Sequence, residues 1–133
     1  MTTRKPYDEV LAALAKTPDD VALLSKLADL QSREGDQDAA AWTYLRIAEC
    51  HQGHGFQLKA VANAKQALKL RPQHTAAREL VAVNLVALGL MSEATPHLQL
   101  LLKHYTALGR RDDVVRILGL LSGTGPAAPG EVA

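Results

Sequence analysis

Four glycines set the size of every structural unit this chain can build. Gly35, Gly55, Gly89 and Gly109 follow one another at sequence intervals of 20, 34 and 20. Between them the apolar residues recur at the three-and-four spacing of helix faces, with no run reading as a strand. A block of about 34 residues holds two helices of about 14 residues with their turns, and neither helix buries its apolar stripe alone. The chain must therefore stack helix upon helix.

The central stretch, Gly55 to Pro72, reads as one amphipathic helix with a turn glycine before it and a stop proline after it. Its face is Ala60, Val61, Ala64, Ala67 and Leu68, small enough for a second helix to approach closely. Upstream, a helix is expected over about 6–15, with Pro6 at its first position and Val10, Leu11 and Leu14 on one side. Thr17 is expected to cap a helix over about 18–33, with Pro18, Asp19 and Asp20 in its first turn and Leu23, Leu24, Leu27, Ala28, Leu30 and Gln31 inside. A third, over about 37–52, buries Ala40, Tyr44, Ile47 and Ala48, with His51 on the same stripe. Downstream, helices are expected over about 74–88 (Ala77, Leu80, Val81, Asn84, Leu85, Leu88), from a Ser92 or Thr95 cap to about 108 (Ala94, Leu98, Leu101, Leu102, Tyr105), and over about 111–121 (Val114, Val115, Ile117, Leu118). Residues 123–133, GTGPAAPGEVA, lack apolar content and are expected to be disordered.

Laying 41–74 over 75–108 pairs Ile47 with Val81, Ala48 with Ala82, Gly55 with Gly89, Ala60 with Ala94, Ala64 with Leu98 and Ala67 with Leu101. With Tyr44 near the aromatic site and Pro72 at the terminating site, the first unit resembles the tetratricopeptide repeat family. The second matches at Val81, Ala82, Leu85, Gly89, Ala94 and Leu98, but has Thr106 where the proline stands. Residues 6–40 and 110–121 resemble degenerate flanking half-repeats. The resemblance implies an all-α domain over 1–122, a right-handed superhelical stack of about seven antiparallel helices, with the helices at 41–53 and 75–88 lining a concave groove. Family members that clamp peptide carboxylates carry a lysine and asparagines on these inner helices. Leu45, Glu49, Glu79 and Val83 stand there instead, so that clamp is not expected.

Charge narrows the partners. Fifteen basic and 14 acidic residues leave a formal charge of +1, and only five aromatics are present, so neither a net field nor a stacking surface for nucleic acid is expected. Positions 1–20 carry no apolar run of signal-peptide length and no later segment approaches about 18 apolar residues, so a cytoplasmic protein without membrane insertion is expected. Cys50 is the single cysteine.

The binding expectation rests on Trp42, Leu45, Glu49, Glu79, Val83 and Val86. Trp42 falls nearly opposite the buried stripe of its own helix, which makes it either a partner anchor or a residue packed against the helix at 6–15. Val83 and Val86 lie off their helix's core face and, with Trp42 and Leu45, form an apolar strip flanked by Glu49 and Glu79. A segment with apolar anchors and a basic rim suits that strip. The expected function is a non-catalytic protein-interaction adaptor with no cofactor. The alternative is self-assembly into a homo-oligomer through an open end at Leu118, Leu120 and Leu121, with Leu100 also off its stripe. Cys50, His51 and His54 supply only three local ligands, short of a structural metal site, and no orienting group for Cys-His catalysis is evident. Lys59, Lys65, Lys69, Arg71 and Arg78, and separately Arg110 and Arg111, read as solvated basic faces.

Overall fold

The computed structural model describes residues 4–123, so the expectation of a disordered tail falls, apart from Gly123, outside the described residues. Within them the chain is all-helical: α1 (Arg4–Lys16), α2 (Val21–Arg33), α3 (Gln37–Gly53), α4 (Gln57–Leu70), α5 (Thr75–Ala87), α6 (Met91–Ala107) and α7 (Arg111–Ser122). Each helix packs against the next in chain order, most extensively α3 on α4, and α3 also touches α5. The short turns make neighbours antiparallel.

The glycines act as the spacing implies, and the caps do not. Gly55 and Gly89 adopt φ of 79° and 77°, a left-handed conformation that a side chain resists. Behind them the amides of Phe56 and Leu90 reach back to the carbonyls of His51 and Leu85, both at 2.8 Å. Asp20, rather than Thr17, caps α2, taking the Leu23 amide at 3.1 Å, so that helix starts at Val21. Thr17 instead donates to the Ala13 carbonyl behind it. Nor do Ser92 and Thr95 cap α6, which begins at Met91 and carries Pro96 inside it. Thr95 Oγ1 donates to the Met91 carbonyl at 2.8 Å.

Burial forms two apolar clusters that meet at α3. Val10, Leu14, Leu24, Leu27 and Ile47 join α1 and α2 to one side of α3, and Tyr44 borders both clusters. On its other side Ala41, Leu45 and Ala48 join a larger cluster running through α4, α5 and α6 to Ile117 and Leu120. Between α2 and α3 a buried Thr43 hydroxyl donates to Gln31 Oε1 at 2.6 Å, which gives that buried amide oxygen a partner.

Ala60, Ala64 and Ala67 are fully buried, as the small-residue face of the central helix predicts. Because that interface has no room for added volume, Ala64→Leu should destabilise the fold by about 1–3 kcal/mol. Urea unfolding checks this, and an unchanged midpoint would show α4 standing off α3.

At the end of the chain, α7 departs from the repeat. Val115 occupies the place of Ile47 and Val81, which are buried, yet it is 68% exposed; α7 buries Ile117 and Leu120 instead. Leu120 is thus core and Leu121 half-buried against it, so of the three leucines expected at an open end only Leu118 is exposed.

Candidate binding groove

A groove of about 700 Å³ opens where α3, α5 and α7 come together, walled by Trp42, Leu45, Glu49 and Gln52 from α3 and by Glu79, Leu80 and Val83 from α5. Arg71, Gln73 and His74 of the α4–α5 turn, Tyr105 of α6, and Arg110, Asp113 and Arg116 of the chain around α7 complete it. Five of the six residues expected to line a groove do so. Val86 does not: it is half-buried and packs on the core. Leu45 lines the groove but is 4% exposed, so it is floor rather than rim.

Trp42 does not pack against α1. Its indole is 56% exposed and meets the His74 imidazole edge to face, with centroids 4.5 Å apart and planes at 62°. His74 stands just before α5, where its Nδ1 accepts the Ala77 amide at 3.3 Å and so caps that helix. An accepting Nδ1 leaves the proton of the neutral ring on Nε2. That Nε2 is buried and has no hydrogen-bond partner.

Burial first, and the Arg71 charge second, hold the His74 pKa below the ordinary 6.5. The unfolded chain therefore takes up a proton at pH values where the folded chain stays unprotonated, and stability falls as pH drops below about 6.5. Imidazolium also cannot accept the Ala77 amide. His51 and His97 are shifted the same way by burial, so they add to the same slope. His74→Asn keeps a capping oxygen and removes one proton-binding group. It should flatten part of the fall in melting temperature between about pH 7 and pH 5. An unaltered slope would show that His74 does not titrate with folding.

The far wall is an ion-pair network. Arg116 grips Glu79 with two bonds, Nη2 to Oε1 at 2.8 Å and Nε to Oε2 at 3.1 Å, while Tyr105 donates its hydroxyl to Oε1 at 2.7 Å. Arg116 also bonds Asp113 at 2.6 Å, and Arg110 takes the other Asp113 oxygen at 2.6 Å. Burial, then the bond to Glu79, pushes the Tyr105 pKa up to about 12, so the hydroxyl remains a donor at neutral pH. The Arg116 bond holds the Asp113 carboxyl below the usual range. Glu79, expected to flank the apolar strip, is committed to fastening α7 on α5. Arg71 is paired as well, with Asp38 at 2.8 Å.

The wall formed by α7 was hidden from sequence reasoning, although a signal existed. Leu45, Glu79 and Asp113 follow one another at the same interval that separates Gly55 from Gly89, and carrying the repeat once further places Asp113 in line with the groove. Elsewhere, among the described residues, no three His, Cys, Asp or Glu side chains gather as a metal ion requires, and no helix is long and apolar enough to cross a membrane. No family model, curated protein or solved structure matches the chain.

Proposed function

We propose that the protein is a non-catalytic adaptor, a tetratricopeptide-like right-handed stack whose groove between α3, α5 and α7 receives a segment of a partner protein. The observation carrying this is Trp42, a large apolar ring more than half exposed at the rim of a groove floored by Leu45 and Val83. Such a ring gains most from burial against a partner, and tryptophans of this kind are the usual anchors of binding sites. The repeat that relates α3 and α4 to α5 and α6 supports the stack. Tagged wild type and a folded Trp42→Ala, Val83→Glu double variant, used side by side as baits in native lysate, test it. A protein retained by wild type and lost by the variant supports the groove; equal retention by both removes it.

One observation favours self-association as a second reading. Val115 and Leu118 are 68% and 46% exposed on α7, which no later helix among the described residues covers. Light scattering separates the readings, since a concentration-independent monomer mass removes self-association.

A further inference from the structure

We infer that the segment taken up by this groove is basic: an apolar residue set against Trp42 and an arginine or lysine paired with Glu49. This deepens the groove reading and rests on it. The charges decide the sign. Of the six acids and arginines lining the groove, Arg116 is bonded to Glu79 and Asp113, Arg110 to Asp113, and Arg71 to Asp38. Glu49 takes part in no ion pair or hydrogen bond among the described residues, and its side chain is exposed. An incoming carboxylate meets arginines whose charge is already balanced by Glu79, Asp113 and Asp38. An incoming cation finds a free carboxylate, and pairing there favours a basic segment over an acidic one.

The spacing defines the segment. Trp42 and Glu49 are two helical turns apart on α3, so they share a face about 10 Å apart along the axis. Buried Leu45 lies between them as floor. An extended peptide covers that distance in about three residues, and a helix lying along α3 in about seven. The His74 Nε2 proton points independently to a ligand. It belongs to the only buried side-chain polar atom without a partner among the described residues, in a side chain 6% exposed and packed on Trp42.

A random dodecapeptide library displayed on phage, panned on wild type and counter-selected on folded Trp42→Ala, tests this. Selected peptides are then synthesised and titrated against wild type and Glu49→Gln, with emission of Trp42, the single tryptophan, as the readout. Glu49 is exposed, so that variant keeps the fold. The expected result is enrichment of arginine or lysine three or seven positions from an apolar residue, with binding roughly two- to fivefold weaker to Glu49→Gln. Enrichment of acidic or uncharged peptides, or equal binding to Glu49→Gln, overturns the basic-segment inference while leaving the groove reading standing. If no peptide distinguishes wild type from Trp42→Ala, both fall.

Discussion

Leu98→Ala is expected to destabilise the protein by about 2–5 kcal/mol, because Leu98 is wholly buried in the cluster joining α4, α5, α6 and α7 and its truncation leaves a cavity. For a domain of this size, with total stability of about 5–15 kcal/mol, that is a large fraction. At roughly 3–6 °C per kcal/mol the melting temperature should fall by at least about 6 °C. The position has a particular role: Leu98 stands one repeat after Ala64, so the place filled by alanine in one helix pair is filled by leucine in the next. An alanine at both places leaves α6 without the side chain that fills its part of the larger cluster. Leu58→Ala, on the outer face of α4 where the leucine is 68% exposed, serves as the control and should change stability by less than about 0.5 kcal/mol. Denaturant unfolding of both variants checks the contrast, and a loss below about 1 kcal/mol at Leu98 would place it outside a packed core.

Helix number and the glycine turns were legible because both rest on local chemistry: apolar residues at helical spacing, and a left-handed glycine after α2, α3, α5, α6 and α7. The alanine face of α4 was legible for the same reason. Caps were less so, since Thr17 and Asp20 are both competent and the choice depends on where the chain turns. The α3 stripe was read as one face, whereas the helix is buried on two sides, by α1 and α2 through Ile47 and by the larger cluster through Leu45. That is why Leu45 became floor. Trp42 was correctly singled out as off the core stripe, but its neighbour is His74, beyond the whole of α4 in the sequence, and no local pattern couples them. Glu79 was placed at the groove, but its partners Tyr105 and Arg116 come from α6 and α7 and meet it only in three dimensions, so no local pattern showed them.

Truncating Trp42 is the second change with a large expected effect, on binding rather than on folding. Its ring touches His74 and otherwise faces the groove, so Trp42→Ala should leave the core clusters intact. Loss of an anchor of this kind costs about 2 kcal/mol or more of binding energy, roughly a thirtyfold weaker complex. The measurement that tests the groove most directly is the affinity of a partner captured by wild type, titrated against wild type, Trp42→Ala and the outer-face variant Leu58→Ser. The groove predicts a loss of roughly thirtyfold for Trp42→Ala and no change for Leu58→Ser. Unchanged affinity in Trp42→Ala, or an equal loss in Leu58→Ser, would contradict it and move the binding surface elsewhere on the molecule.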